Sequence, residues 1–413
     1  MLDIHPAGYE TSVAYCAFGG VQGGWAKLNG YARAGIWTGT SASWIDLHPA
    51  KATESTIQDM HDGWAAGYTG EYDVSSRAHA WFGTTQQLDL HPVSAETSVA
   101  DATFAGRHGG SYNAGSGNRA CIFDVDPKSI TTVHPPQALQ SAIRGMYEEV
   151  QVGWVELEPN RRRAAMWSGS AASWIDLHPG PFQETSVAYS AIDGIQVGKY
   201  RDQAAVWNGS AQSHEGLHGF LDPSYVKSDA WTVSRQGDRM IVGGDAWTSS
   251  NILEPFLWIS RYESPESLSL FRGTLVSGGL SELAESDDTK LIVRPGIVFS
   301  TTEPPVQVVI EGTASDQNPD SLGFSLEASV SFGVGDQAIQ LYNFDSDRYE
   351  TVDLRGTTTL DRVTNVSIRS DAQRFVEFGT NKMRARVTFK PTAPMFSYPW
   401  QARIDLARFR LPG

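Results

Sequence analysis

Pairs of aspartate and histidine residues, two positions apart, are the side chains of this sequence that could most readily do chemistry. The pairs are Asp3 with His5, Asp46 with His48, Asp89 with His91, and Asp176 with His178. Alternate residues of a β-strand point to the same face, so each pair could act as two metal ligands or as an acid and a base. A metal site needs three or four converging ligands, which one pair does not supply. We therefore expect each pair to tie an outer strand to the following loop.

The elements that carry these pairs belong to a repeat. The segment 41–49 (SASWIDLHP) returns almost unchanged at 170–179 (SAASWIDLHP). The repeat histidines lie 43, 43, 43, 44 and 40 residues apart, at His5, His48, His91, His134, His178 and His218. This period is typical of propellers and solenoids, and a four-stranded propeller blade matches it most closely in length. In a ring of blades these histidines would lie far apart on the outer rim, so they would not form one site.

Each repeat unit reads as four short strands. The first carries Glu-Thr-Ser-Val-Ala at 10–14, 96–100 and 184–188. The second contains a glycine, which indicates close backbone approach or a bulge and predicts tight packing of neighbouring blades. These glycines are Gly24, Gly67, Gly110, Gly153, Gly198 and Gly243. The third strand ends in an aromatic residue expected to fill the space between sheets, at Trp37, Trp81, Phe123, Trp167, Trp207 and Trp258.

Six such units predict a six-bladed propeller over residues 1–266. The N-terminal segment Leu2–Pro6 resembles a fourth strand without the preceding three, and the unit that ends at Trp258 lacks a fourth strand. We therefore expect the N-terminal strand to complete the last blade and close the ring, which removes free sheet edges. The alternative is that Ser267–Leu270 is the missing strand, or part of a seventh blade.

Residues 267–413 do not continue the repeat. Alternating segments such as 306–310, 324–330, 339–342 and 383–389 read as strands separated by turns. Their spacing predicts a β-sandwich. The expected fold class is therefore all-β, with a β-propeller followed by a β-sandwich.

Two stretches resemble known families. The pattern of Gln196–Gly198, Arg163–Trp167 and Trp174–Pro179 resembles the HAF-type extracellular repeat of secreted bacterial proteins. The C-terminal stretch, with segments 277–288 and 303–311, is similar to a module of secreted planctomycete-type proteins. Together the resemblances cover nearly the whole chain. They imply an exported, envelope-associated protein, and they bring no catalytic residues with them.

Composition narrows the classes of partner. A net charge of −15 argues against nucleic acid, whose phosphates need a basic surface.

Cys16 and Cys121 occupy different places in different repeats, so we expect no bridge between them. No run of about 18 apolar residues predicts a membrane span. No signal peptide is visible, so either the protein is cytosolic or a signal has been removed; the family resemblance favours the extracellular space or cell surface.

Four aromatic residues near the recurring glycine are candidate ligand-binding residues. They are Trp25, Tyr68, Trp154 and Tyr200. Flat rings beside Asn or Asp side chains are surfaces on which a sugar can stack. The same rings could equally shield blade edges from water.

Asp345, Asp347 and Glu350 are the candidate metal ligands. Their oxygen atoms suit Ca²⁺, but the segment does not complete a twelve-residue calcium loop, and an ordinary turn is the favoured interpretation. We expect no other cofactor. No Gly-x-Ser-x-Gly motif or other complete catalytic set is visible.

We therefore expect a secreted or cell-surface binding or scaffold protein without catalytic activity, which recognises a glycan or a surface protein. The first alternative is an enzyme that acts on a polysaccharide or by another hydrolytic or lyase reaction, with its site in the propeller channel or at the domain junction. The second is a surface-layer or filament subunit that associates with itself.

Overall fold

The computed structural model describes residues 3–71, 75–124, 129–181, 183–284, 288–331, 333–392 and 400–412. These residues form β-strands joined by turns, with almost no helix. Short 3₁₀ helices occur at Ser41–Ser43, Ala171–Ser173, Ala211–Ser213, His218–Phe220, Ser281–Leu283 and Ala372–Phe375. No helix in the described ranges is both long and apolar enough to span a bilayer.

The chain divides into two compact units. The first comprises Met1–Val233 and Val242–Leu257, and the second comprises Ser234–Ile241 and Trp258–Gly413. The boundary expected from the sequence, after residue 266, lies close to the division after Leu257.

Five four-stranded antiparallel sheets follow one another in the first unit, each built from four consecutive strands. Sheet 1 contains β1 (Ser12–Phe18), β2 (Val21–Leu28), β3 (Tyr31–Trp37) and β4 (Ile45–Asp46); sheet 2 contains β5 (Ser55–His61), β6 (Trp64–Thr69), β7 (Arg77–Phe82) and β8 (Gln86–Asp89). Sheet 3 contains β9 (Thr97–Phe104), β10 (Arg107–Asn113), β11 (Asn118–Phe123) and β12 (Ile130–Thr132). Sheet 4 contains β13 (Gln140–Tyr147), β14 (Val150–Glu158), β15 (Arg161–Trp167) and β16 (Ile175–Asp176); sheet 5 contains β17 (Ser186–Ile192), β18 (Ile195–Tyr200), β19 (Gln203–Asn208) and β20 (Glu215–Gly216).

The recurring aromatic residue fills the space between consecutive sheets. Trp81 of sheet 2 packs with Ala34 and Leu47 of sheet 1, and its indole N–H donates to the Leu47 carbonyl at 3.0 Å. Phe123, Trp167 and Trp207 occupy the same place in the following sheets. The predicted role of this position is therefore confirmed for sheets 2 to 5.

The sixth repeat has three strands, β21 (Tyr225–Gln236), β22 (Arg239–Thr248) and β23 (Leu253–Glu263). Residues 3–6, which belong to the predicted N-terminal strand, form no strand. His5 contacts Ser12 and the Tyr9 carbonyl, which are the contacts that His48 and His91 make with the sheets that follow them. The described residues contain no strand pairing between sheet 1 and β21–β23. Closure of the ring by the N-terminal segment therefore stays a prediction, and residue 2 of that segment lies outside the described residues.

The second unit is a β-sandwich of two antiparallel sheets. Its strands are β24 (Ser267–Arg272), β25 (Thr274–Ser277), β26 (Leu291–Arg294), β27 (Val306–Thr313), β28 (Leu322–Val330), β29 (Gly335–Asn343), β30 (Arg348–Gly356), β31 (Arg362–Ile368), β32 (Lys382–Pro391) and β33 (Ala402–Pro412). One sheet has the order β24-β27-β32-β29-β30. In the other, β33 pairs with β28 on one side and with β26 and the end of β23 on the other.

Both sheets contribute to one core in the second unit. Val308 and Val387 of the five-stranded sheet belong to the same buried cluster as Phe324 and Phe409 of the other. Residues 267–270, which the sequence left open as a blade strand, lie in β24 and pair with β27. They therefore belong to the sandwich.

Candidate functional site

The repeat histidines are hydrogen-bonded parts of the scaffold. Nδ1 of His91 lies 2.8 Å from the Ser98 hydroxyl, and Nε2 lies 3.1 Å from the Ala95 carbonyl. The same hydroxyl accepts the Ala78 backbone N–H at 2.8 Å. A carbonyl oxygen can only accept, so Nε2–H donates to Ala95, and Nδ1 of the neutral ring then accepts the Ser98 O–H. The imidazole is neutral in this arrangement, and burial lowers the pKa of His91.

This group, which we call the serine–histidine latch, recurs in five places. The serine accepts the backbone N–H of the preceding sheet and bonds the histidine in Ala34/Ser55/His48, Ala78/Ser98/His91, Ala120/Ser141/His134, Ala164/Ser186/His178 and Ala204/Ser228/His218. Asp46 accepts the His48 backbone N–H at 2.9 Å and pairs with Arg33 at 2.6 Å. The expectation that these Asp and His residues tie the outer strand to the next loop is confirmed.

Trp154 is a core residue, and its prediction as a ligand-binding residue is wrong. It is 1% exposed and packs with Ala142 and Val187. The Arg162 guanidinium lies 4.2 Å from the centroid of its ring. The sequence could not distinguish it from Trp25, because burial at this position depends on the neighbouring sheet.

The other three predicted aromatic residues are half-buried and lie in three different sheets. Trp25 is on β2, Tyr68 on β6 and Tyr200 on β18. The Tyr200 hydroxyl donates to Glu184, and its ring contacts His178 and His214. Each of these three sheets carries one such ring. That sugars stack on these rings stays a prediction.

The candidate metal ligands lie around the turn between β29 and β30 and are engaged separately. Asp345 donates its backbone N–H to the Asn343 side chain, and Tyr342 donates to Asp347. Glu350 accepts the Asn343 amide at 2.6 Å and pairs with Arg374 at 3.2 Å. Within the described part of the chain, no group of three or more His, Cys, Asp or Glu residues could hold a metal ion. The described residues therefore offer no set of ligands for the predicted Ca²⁺.

The outer face of the five-stranded sheet gathers the residues best suited to ligand binding. Strand alternation places Val387 and Ala385 in the core and Arg384 and Arg386 on the opposite face. We define the arginine–tyrosine face by six side chains on four strands: Glu311, Gln340, Tyr342, Tyr349, Arg384 and Arg386. It lies entirely within the second unit.

The first row of this face crosses β27, β32, β29 and β30. Arg384 pairs with Glu311, whose cross-strand partner it is, through Nε at 2.6 Å. Its guanidinium carbon lies 4.9 Å from the Tyr342 ring centroid. Tyr342 and Tyr349 are cross-strand partners with centroids 5.0 Å apart and an interplanar angle of 76°. An ion pair and two rings are thus held in one line.

The second row contains Arg386 and Gln340, which are also cross-strand partners. Arg386 Nε donates to the Gln340 amide oxygen at 2.7 Å, and its guanidinium carbon lies 3.9 Å from the Tyr349 centroid. Burial lowers the pKa of Arg386, while the nearby Tyr349 opposes that shift. Among the described residues Arg386 has no carboxylate partner. Its positive charge instead contacts two neutral groups, the Gln340 amide oxygen and the Tyr349 ring.

Planar guanidinium groups, phenol rings, an amide and a carboxylate form a mixed surface that can bind a sugar. Rings offer an apolar face, and the polar groups offer donors and acceptors for hydroxyls. The sequence predicted 383–389 as a strand with alternating arginines. It carried no signal that these arginines lie beside Tyr342 and Tyr349, because those residues are brought together only by strand pairing.

Comparison with known proteins gives only weak structural likenesses. No family model and no curated protein matches the chain. A mutant of the family 29 carbohydrate-binding module CBM29-2 matches with a TM-score of 0.22 and 12% identity, over 35% of this chain and 80% of that chain. TmCBM61 in complex with β-1,4-galactotriose matches with a TM-score of 0.22 and 12% identity, over 34% and 85%. The CBM22-1 xylan-binding domain from Paenibacillus barcinonensis Xyn10C matches with a TM-score of 0.23 and 9% identity, over 36% and 86%. Similarities at this level carry no argument about function.

Proposed function

We propose that this protein is a non-catalytic glycan-binding protein that works outside the cytoplasm, with the arginine–tyrosine face as its binding surface. The observation that carries the proposal is the line of Glu311, Arg384, Tyr342 and Tyr349 across four neighbouring strands. At about 4.8 Å between strands, the line extends for roughly 14 Å, which exceeds one sugar ring. The exported location follows the resemblance of the repeats to HAF-type extracellular proteins, which we retain as part of the proposal.

The face is ordered before any ligand arrives. Arg384 is held by Glu311 and Tyr342, and Arg386 is held by Gln340 and Tyr349. Groups that already have their bound conformation lose less entropy on binding. A sugar chain could therefore replace water over this surface at a low ordering cost.

Binding is tested by native gel electrophoresis of the whole chain through gels that contain one soluble polysaccharide each: hydroxyethylcellulose, arabinoxylan, galactomannan, alginate or polygalacturonate. We expect retardation by at least one polymer. Tyr349→Ala and Arg386→Met should each weaken that binding by about tenfold or more, which corresponds to about 1.4 kcal/mol. Isothermal titration with the retarding polymer gives the affinities.

Tyr31→Ala is the matched control, since Tyr31 is 57% exposed and lies in the first unit. It should bind as the unchanged protein does. Retardation by none of the polymers, or equal binding by Tyr349→Ala and Tyr31→Ala, would contradict the proposal. Release of reducing sugar from a bound polymer would favour the enzyme alternative, and ordered assembly without polymer would favour the surface-layer alternative.

A further inference from the structure

The first strand of each repeat sheet has an extra residue at the same place. Against the second strand, the pairing register skips one residue in β1, β5, β9, β13 and β17. The skipped residues are Tyr15, Gln58, Asp101, Arg144 and Tyr189. A bulge leaves its extra residue unpaired and redirects the side chain. In each of these five repeats, one residue of the first strand therefore has no backbone partner on the second strand.

One residue near the bulge is the same in every repeat, whereas the bulge residue itself varies. A serine always lies three positions earlier, at Ser12, Ser55, Ser98, Ser141 and Ser186. Ser228 is the sixth such serine, and counting from it places Trp231 at the equivalent position of β21. The residues in chain order are Tyr, Gln, Asp, Arg, Tyr and Trp. Since the same scaffold accepts all of them, packing does not require any one of them.

The last two of these residues form an aromatic pair in which Tyr189 is half-buried and Trp231 is exposed. The rings of Tyr189 and Trp231 lie 4.4 Å apart with an interplanar angle of 33°. Trp231 is 44% exposed, and its indole N–H donates to Asp245 at 2.9 Å. The hydrogen bond fixes the orientation of the indole, while much of its surface remains open to solvent.

Paired charges surround this aromatic pair. Lys199 lies 3.2 Å from Asp229, and Arg144 lies 3.1 Å from Asp101. Burial is the main cause that raises the pKa of Asp245. One oxygen of Asp245 is buried without a hydrogen-bond partner among the described residues. The other oxygen accepts the Trp231 indole N–H, so this carboxylate holds the ring on which a sugar would stack.

The arrangement fits a sugar better than an organic cation. An aromatic cage for a cation needs rings that flank an open space. The Tyr189 and Trp231 rings are tilted by 33° with their centroids only 4.4 Å apart, so no open space separates them. What they offer is the outer surface of one fixed indole with hydrogen-bonding groups beside it, which is the arrangement on which a pyranose ring stacks.

We infer that the first unit carries a second saccharide site, which binds one neutral sugar ring on Trp231 with Asp245 and Lys199 as hydrogen-bonding partners. We call it the bulge cluster, formed by Arg144, Tyr189, Lys199, Asp229, Trp231 and Asp245. It lies in a different unit from the arginine–tyrosine face and does not depend on it. With both sites, one chain could hold two glycan segments.

The test is saturation-transfer NMR of the whole chain with glucose, galactose, mannose, N-acetylglucosamine and cellobiose. At least one sugar should receive saturation, with an affinity in the millimolar range. Trp231→Ala should abolish the transfer. Asp245→Asn, which keeps the indole acceptor, should weaken the affinity severalfold. Tyr15→Ala is the matched control, because Tyr15 holds the equivalent bulge at the other end of the repeats.

Variants of the two sites distinguish the two proposals. Tyr349→Ala should keep the saturation transfer to the small sugar, and Trp231→Ala should keep the retardation by polysaccharide. Transfer to none of the sugars, or transfer that survives both Trp231→Ala and Asp245→Asn, would overturn the bulge cluster. Loss of polysaccharide binding by Tyr349→Ala tests only the second unit.

Discussion

At the scale of single residues, the serine of each latch has the most demanding position. Ser98 is almost fully buried, and its hydroxyl joins two groups: it accepts the Ala78 backbone N–H and donates to Nδ1 of His91. Ser12 also bonds a histidine, His5, but no backbone N–H donates to its hydroxyl in the described residues. Within the described residues, the first repeat therefore has only half of the latch.

Ser98→Ala should lower the free energy of unfolding by about 1–3 kcal/mol, because it leaves a buried N–H and a ring nitrogen unpaired. Ser12→Ala is the matched control and should cost less than about 1 kcal/mol, since the site is half-buried and loses one bond. Urea unfolding monitored by tryptophan fluorescence measures both. Equal losses in the two variants would contradict the latch.

At the scale of elements, the recurring glycine makes the bulge possible. A Cβ on Gly153 would lie 2.0 Å from the Ala142 carbonyl oxygen, which belongs to the neighbouring strand of the same sheet. Gly24, Gly67, Gly110 and Gly198 meet the equivalent carbonyl at 1.9–2.0 Å. The expected close backbone approach is present. However, it occurs inside one sheet at the bulge rather than between neighbouring blades.

Gly153→Ala should therefore destabilise the protein by about 3 kcal/mol or more, at the upper end of single substitutions. Gly216→Ala is the control, since Gly216 also lies in a strand and a Cβ there would meet nothing within 4 Å. It should change stability by less than about 0.5 kcal/mol. Chemical unfolding at neutral pH compares the two, and a similar effect at both positions would refute the explanation.

The first and last elements of the repeat also differ in a way that bears on closure. The residue three positions before the terminal aromatic is Ala34, Ala78, Ala120, Ala164 and Ala204 in the first five repeats, and Pro255 in the sixth. Proline has no backbone N–H to donate. The sixth repeat therefore cannot complete the latch of Ser12. The proline is visible in the sequence. It argues against ring closure through the bond from a backbone N–H to the latch serine.

At the scale of the whole molecule, the two units differ in their titratable groups. All ten histidines lie at or before His218, in the first unit. Burial lowers the pKa of His79 and His108 to about 4, and it also lowers the pKa of four latch histidines. These four are His48, His91, His134 and His178.

Lowered histidine pKa values make the folded first unit less stable in acid. The unfolded chain binds protons below pH 6.5, whereas the folded unit resists them, so stability falls as the pH falls from about 6.5 towards 4. His79 and His108 make the largest contributions, each up to about 1.4 kcal/mol per pH unit, and the less buried latch histidines contribute less. Asp59, with a pKa raised by burial to about 6, contributes in the opposite direction, as do Asp229 and Asp245. Because six histidines act in one direction and three carboxyl groups in the other, we expect the first unit to lose stability in acid.

Differential scanning calorimetry should therefore show two transitions, and a change from pH 7.5 to 5.5 should lower mainly that of the first unit. The second unit has no histidine, so its transition should move little. Ser98→Ala identifies the first unit, because it should shift that transition alone. Parallel shifts of both transitions between the two pH values would contradict the assignment.

The sequence by itself determined the repeat, the all-β fold and the sandwich that follows. These features depend on local patterns: the 43-residue period, strand alternation and turn residues. The structural role of the Asp and His pairs also followed from the number of ligands that one pair supplies. The absence of a bridge between Cys16 and Cys121 agrees with the structure, in which both are free.

Only the tertiary structure decided which side chains meet. Glu311 and Arg384 are 73 residues apart, yet strand pairing places them in contact. Trp154 is buried and Trp231 is exposed, although both are tryptophans of repeat strands. Pairing register depends on the patterns of both strands together, and burial depends on the sheet that packs against them, so both involve residues far apart in the sequence. For that reason the two proposed binding surfaces could be recognised only in the structure, whereas the repeated strands that carry one of them were predicted from the sequence.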